Sequence, residues 1–441
     1  MQNIIELPPS LDDQLWYDFL ISAPSADAET IIRQINENYE YWDVVKYKYR
    51  ERVDGYTPET LWHYAHIYRD HSRQTVWEKY NVTFSLTNKM QRVCHEFDMN
   101  FGGSWASSSI IPLENKEQYL ISSQMEEAIF SSQIEGAATT RQVAKDMLRK
   151  KQKPKDRSQQ MIYNNYATIL NIKEHLNEPF SAERLLEVHR LMTNGTLENP
   201  EDAGRFRQNN NVVVEDGITH RIVHTPPPYD EIPEFVNTLK SFFNDTNPSV
   251  FIHPIIRGII IHYMLAYVHP FADGNGRTAR ALFYWYMLKQ NYWLTEFLSI
   301  SRVIIGSKKK YEKAYICSEA DHNDMGYFID YNLEVLAKAF KKLQEYLNRK
   351  AAEKKMANTF LRLGNINNRQ AMVIKMFYDN PKEVITVKDL EGKFRVTAAT
   401  AKSDIVGLMQ RGFLAEVSFN KVKKGYVKGE QFDELIKQVS L

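Results

Sequence analysis

The chain has 441 residues, 43% of them apolar and 25% charged, with a formal net charge of +1. That length predicts two or three domains with a real core, and a charge so near zero provides no global field for nucleic acid or a membrane surface. Two cysteines, Cys94 and Cys317, exclude a disulfide framework and lack metal-ligand spacing. No run approaches the roughly 18 to 20 apolar residues of a membrane span. The opening MQNIIELPPS has no basic stretch followed by an apolar core. The expectation is a cytoplasmic protein with no membrane partner.

Residues 1–114 read as a helical N-terminal region. In ETIIRQINENYEYWDVVKYKYRER and PETLWHYAHIYRDHSRQTVWEKY, apolar and aromatic residues recur every three or four positions, as on the buried face of a helix. A helix is predicted from about Lys116 to Ile134, stopped at SSQIEGAATT, where Gly136 can take the left-handed C-terminal conformation. RKKQKPKDRSQQ follows as a solvated loop, then helices at MIYNNYATILNIKEHL and SAERLLEVHRLMTNG, with Ser181 as the N-cap of the second. GRFRQNNNVVVEDGITHRIVHTPPP breaks the rhythm: β-branched residues flank a turn, which predicts a β-hairpin. Helices resume at PYDEIPEFVNTLKSFFND and at SVFIHPIIRGIIIHYMLAYVH, where His253 marks a helix start and His262 reads as a core residue. The tail, from NRQAMVIKMFYDNP to FLAEVSFNKVKKGYV, gives two short helices, a longer one and a hairpin, a winged helix-turn-helix pattern. Its third helix carries only Lys402, Asp404 and Arg411 as charges, and its wing adds Lys421, Lys423 and Lys424. DNA is therefore a possible partner and protein contact another.

The chemistry concentrates in HPFADGNGRTAR, from His269 to Arg280. Glycines in DGNG permit backbone angles that end the preceding helix, and a new helix is expected near Arg277. Backbone amides of Gly274, Asn275 and Gly276 then point into a helix N-terminus, which holds anions. Arg277 and Arg280 lie one turn apart on one face, and their forked guanidinium groups suit several phosphate oxygens at once. Asp273 at the lip of that loop can supply the carboxylate that Mg2+ takes along with phosphate oxygens. His269 can accept the proton of an attacking hydroxyl. These are the parts of a phosphoryl or nucleotidyl transfer. A P-loop GxxxxGK and a zincin HExxH are both absent.

At every fixed position this stretch resembles the Fic signature HPFxDGNGRxxR, at His269, Pro270, Phe271, Asp273, Gly274, Asn275, Gly276, Arg277 and Arg280. The resemblance implies a protein adenylyltransferase that moves AMP from ATP to a Ser, Thr or Tyr hydroxyl of a target protein. In that reading His269 is the general base and Asp273 the Mg2+ ligand. Gly274, Asn275, Gly276 and Arg277 bind the α- and β-phosphates, and Arg280 holds the γ-phosphate. Val212, Val213 and Val214 belong to a flap that docks an extended target segment, and Tyr311 is the candidate for the adenine pocket, with Tyr315 possible. SSQIEG, with Ser131, Glu135 and Gly136, resembles the inhibitory motif of the class with an N-terminal inhibitory helix, so Glu135 is expected to face Arg280. The fold implied is mainly α: a helical region 1–114, a Fic core 115–335 with a β-hairpin flap, a helical linker 336–365 and a winged helix-turn-helix domain 366–441. Two alternatives stand beside transfer: removal of AMP from a modified protein at the same site, and a DNA-binding regulator whose Fic site senses nucleotide. A homo-oligomer is possible.

Overall fold

Helical periodicity becomes helix through most of the chain, and short polar caps set the boundaries. The computed structural model describes residues 5–10, 13–101, 116–217, 219–245, 250–394, 396–418 and 424–437, and the chain divides into two units, Met1–Lys341 and Lys342–Leu441.

The first unit opens with helices α1 (Asp13–Ile21), α2 (Ala26–Glu37), α3 (Trp42–Lys48) and α4 (Pro58–Ser72). Two expectations fail here for physical reasons. The first continuous helical run breaks between α2 and α3, where Tyr39 takes φ 45° and buries its ring against Tyr327 and the Arg69 guanidinium. Tertiary burial of an aromatic ring outweighs local helix propensity there. The second run stops at Ser72. Arg73–Trp77 (β1) instead pairs antiparallel with Val82–Ser85 (β2) around Asn81 at φ 50°, because Thr75, Val76 and Trp77 suit an extended chain. Helix α5 (Asn88–Phe101) follows. This region is held to the rest of the unit by buried polar contacts: His66 Nε2 lies 2.9 Å from Asp321 and Arg69 Nη1 3.0 Å from Asp324.

The remainder of the unit carries α6 (Lys116–Ile134), α7 (Arg141–Arg149), α8 (Arg157–Glu174) and α9 (Ala182–Thr193). Gly136, at φ 92°, ends α6 as expected, and Ser181 Oγ accepts from Arg184 N at the start of α9. The predicted hairpin is present and short, Val214–Glu215 (β3) against Ile222–His224 (β4). Val214 alone of the three flap valines is in a strand; Val212 and Val213 precede it. Then come α10 (Ile232–Asn244), α11 (Pro254–Val268), α12 (Asn275–Lys289), α13 (Ser301–Ile305), α14 (Lys308–Ala320) and α15 (Gly326–Leu361), which continues into the second unit. Helix α11 is apolar all round and almost wholly buried, and it packs along α12. These two helices form the floor on which the signature loop is mounted.

The second unit contains α16 (Asn368–Asp379), α17 (Val387–Phe394), α18 (Ala398–Gln410), the hairpin β5 (Leu414–Ser418) and β6 (Lys424–Lys428), and α19 (Phe432–Lys437). Ile374, Phe377, Leu390, Ile405, Leu408 and Phe413 form its core. Asp404 is buried and held by Arg369 and Asn367, and Arg411 donates to the Leu363 and Gly364 carbonyls. Lys421 and Lys423 lie outside the described residues; Lys424 pairs with Glu416 at 2.7 Å. Both cysteines are buried, which pushes their thiols up to about 12. Among the described residues no helix is long and apolar enough to cross a membrane.

Candidate active site

Helix α11 ends at Val268, and His269 turns the chain in the left-handed conformation, φ 48°. A non-glycine residue keeps that conformation only when its surroundings impose it. Arg207 imposes it here. Its backbone N–H donates to Pro270 O at 2.9 Å, its Nε to His269 O at 2.8 Å, and its Nη2 to the Val268 and Pro227 carbonyls. The His269 ring is oriented by a short bond from Nδ1 to the Ala266 carbonyl. A carbonyl only accepts, so Nδ1 carries the proton and the neutral ring keeps its lone pair on Nε2. Burial, opposed by that bond and reinforced by nearby His224, pushes the His269 pKa down to about 4. The ring is therefore a neutral base at pH 7.

Beyond His269 the loop is built on two close approaches. Gly274 has φ 85°, and a Cβ there would lie 2.6 Å from Thr193 Cγ2, so neither the backbone nor the space admits a side chain. Helix α12 consequently starts at Asn275, two residues before the expected start. The Asn275 side chain closes the loop on itself: Oδ1 accepts from Phe271 N at 3.0 Å and Nδ2 donates to Phe271 O at 2.9 Å. Its amide side chain is thus occupied, and its backbone N–H is the group left for an anion. A Cβ on Gly276 would lie 2.4 Å from Glu135 Oε1, which places that carboxylate directly over the loop.

The two arginines are deep. Arg277 is 1% exposed, with Nη1 3.4 Å from Met192 O and Nη2 3.6 Å from Asp273 Oδ1. Arg280 is 2% exposed; it donates from Nε to Ser131 Oγ at 2.9 Å and from Nη2 to Ser131 O at 2.9 Å and Glu135 Oε1 at 2.8 Å. Burial alone would raise the Glu135 carboxyl and lower the Arg280 guanidinium; their mutual attraction overrides both, so Glu135 titrates below the usual range and Arg280 above it. Among the described residues, Arg277 Nε and Arg280 Nη1 are buried without a hydrogen-bond partner, an arrangement that suits an anion above the loop. Asp273 keeps 49% of its side chain exposed at the lip. No group of three or more His, Cys, Asp or Glu is placed to hold a metal among the described residues. A divalent ion at Asp273 would therefore draw most of its shell from a ligand and solvent, as Mg2+ does on nucleotides.

A cavity of about 450 Å³ opens over these groups, lined by Glu135, His269, Gly276, Arg280, Val214 and Lys308, with Tyr263, Tyr267, Tyr311 and Tyr315 on its aromatic wall. Tyr311, which the resemblance implies for base binding, is buried on this wall, with its hydroxyl bonded to His262 Nε2 at 2.9 Å and to Tyr315 at 3.2 Å. Val212 and Val213 do not line the cavity. The structure brings Ser131 and Glu135 against Arg280, and Glu135 over Gly276.

Sequence reasoning missed three neighbours. Arg207 clamps the loop, as described. His224 on β4 contacts Glu319 Oε2 at 2.9 Å and the Tyr267 carbonyl at 2.6 Å, which fastens the flap strand beside His269. His189 on α9 stacks on Phe271 at 3.7 Å, contacts Asp273 O through Nε2 at 2.8 Å and accepts Gly204 N–H on Nδ1 at 3.0 Å. That pattern needs a neutral ring, and burial pushes His189 down to about 4 and His262 to about 3. Unfolded, both would titrate near 6.5. Between pH 6.5 and about 4 the unfolded chain takes up protons that the folded chain refuses, so stability should fall as pH falls through that window. Denaturant midpoints at pH 7.5 and 4.5 should differ in this direction. The His262→Leu variant should show a shallower slope, and an equal slope would remove His262 from the cause.

The Fic/DOC family profile matches residues 179–287. Over 153 residues the chain is 29% identical to "Protein adenylyltransferase Fic" of Nematostella vectensis, covering 35% of this chain and 31% of that protein. Over 120 residues it is 35% identical to "Protein adenylyltransferase fic-1" of Caenorhabditis elegans, covering 27% and 21%. The chain thus spans less than a third of the length of these curated relatives. A solved Fic family protein from Desulfovibrio desulfuricans G20 aligns with TM-score 0.49 and 19% identity, over 79% of this chain and 98% of that one. The residues matched by the Fic/DOC profile, 179–287, hold the histidine, the glycine loop and both arginines.

Proposed function

We propose that the chain is a self-inhibited protein adenylyltransferase, moving AMP from ATP to a Ser, Thr or Tyr hydroxyl of a target protein. The observation that carries this reading is the base: a neutral His269, with its proton fixed on Nδ1, presented beside a glycine loop and two buried arginines. Nε2 takes the proton of the target hydroxyl as its oxygen attacks the α-phosphorus, and pyrophosphate leaves on the opposite side. The amides of Asn275, Gly276 and Arg277 at the start of α12 hold the α- and β-phosphates, whereas the N–H of Gly274, the fourth of the set that the resemblance implies, donates to Asp273 Oδ1. Asp273 is the residue that would hold Mg2+, which when bound neutralises charge on the phosphate chain. Arg280 would hold the γ-phosphate, and there Glu135 now sits. Strand β3, carrying Val214 at the mouth of the cavity, would pair with an extended target segment. The helices and hairpin of the second unit have the order of a winged helix-turn-helix.

Incubating the whole chain and a cell extract with ATP labelled on the α-phosphate, and separately on the γ-phosphate, tests the reaction. The expected result is protein labelled from the α position only. Loss of label from a protein already carrying AMP, with no labelling of a fresh one, would establish removal of AMP instead.

A further inference from the structure

The C-terminal turn of α9 gathers cations from two sides of the signature loop. Its last carbonyls carry the negative end of the helix dipole. Arg277 Nη1 reaches Met192 O at 3.4 Å, and Arg157 Nε, from the first turn of α8, donates to Thr196 O at 2.8 Å. The turn is itself fixed: Asn164 Nδ2 donates to Asn194 O at 2.7 Å and Thr196 Oγ1 to Thr193 O at 2.9 Å. Thr193 packs on Gly274. One end of the Arg157 guanidinium is thus anchored relative to the loop, while Nη2 lies 3.7 Å from Asp273 Oδ2. Arg277 Nη2 faces the other oxygen, Oδ1, at 3.6 Å. Asp273 therefore has a guanidinium beside each oxygen.

We propose that Arg157 is a positioning residue that holds Asp273 until a divalent cation arrives, and so sets the magnesium concentration at which the site loads. This rests on Asp273 being the magnesium-holding residue. An ion approaching Oδ2 must displace Arg157 and then stand near a tethered positive charge; both effects raise the magnesium needed. Arg277 is buried and cannot yield, whereas Arg157 keeps 63% of its side chain exposed and can swing into solvent.

The test uses the whole chain and a fluorescent ADP, chosen because it lacks the γ-phosphate that would compete with Glu135 for Arg280. Magnesium is titrated at fixed ADP, and ADP affinity is measured separately in EDTA. Arg157→Ala should reach half-saturation at about 1.4- to fivefold less magnesium, the range set by an exposed ion pair, with metal-free ADP affinity unchanged. Arg157→Lys, which keeps the charge but not the forked anchor, should fall between the two. An unchanged or higher magnesium midpoint in Arg157→Ala overturns the proposal. A loss of metal-free ADP affinity also overturns it, because Arg157 would then be a phosphate ligand. Should the parent chain bind ADP with no help from magnesium, the reading of Asp273 fails, and this proposal fails with it.

Discussion

An H269A chain should bind nucleotide almost as well as the parent yet transfer AMP about 10²- to 10⁴-fold more slowly, the usual cost of losing a general base. The two properties separate because different groups supply them. In the proposed reaction the phosphate contacts would come from the amides at the start of α12 and from Arg277 and Arg280, whereas His269 would contribute one lone pair on Nε2. The pH profile carries the same assignment. With its pKa near 4, His269 is a base above that value and an acid below it. In the parent, kcat/KM should rise as pH increases through about 4 and stay flat to pH 7; in H269A that rise should be absent. A variant that transfers at the parent rate, or a parent profile rising near 6.5, would show that another group takes the proton.

What the sequence made legible was local. The loop from His269 to Arg280 could be read because base, acid, glycines and cations fall within twelve consecutive residues, and each needs only a turn and a helix start to reach its place. The end of α6 at Gly136 and the start of α9 at Ser181 were legible for the same reason, since a cap is a contact across three or four residues. The Glu135–Arg280 contact spans 145 positions, and only the resemblance to a known inhibitory motif exposed it.

The missed residues do work at long range with no local signature. Arg207 acts on carbonyls about sixty positions later, and an arginine in GRFRQNN looks like any solvated charge. His189 falls in a helix whose periodicity explains it fully as a core residue, although its ring carries the Asp273 carbonyl. The loop position of Asn275 points to its backbone amide; that its side chain ties Phe271 on both sides has no local signature. The β1–β2 hairpin failed for the opposite reason. Arg73–Trp77 continues a helical apolar period, and only pairing with Val82–Ser85 makes the extended form win.

Glu135→Gly should raise AMP transfer by about tenfold to 100-fold. Arg280 Nη2 makes a charge-assisted bond of 2.8 Å to Glu135, and bonds of that kind contribute about 1.5–3 kcal/mol, one to two powers of ten in occupancy. A γ-phosphate must displace that carboxylate and then bind beside its charge. Removing it leaves Arg280 aimed at the same place, because Ser131 still holds Nε through its hydroxyl and Nη2 through its carbonyl. Glu135 is also 32% exposed toward the cavity and lies just past the end of α6, so glycine there interrupts no helical turn. The activated chain should melt at a lower temperature than the parent without ligand, since a buried guanidinium loses its counter-charge. ATP should then restore more stability to the variant than to the parent, because binding stabilises in proportion to affinity. Glu135→Gln separates charge from bulk: it keeps the size, loses the ion pair, and should give an intermediate rate. Equal rates in parent, Gln and Gly variants, with equal ATP-dependent melting shifts, would mean that the carboxylate guards nothing and merely neutralises Arg280 in the folded core.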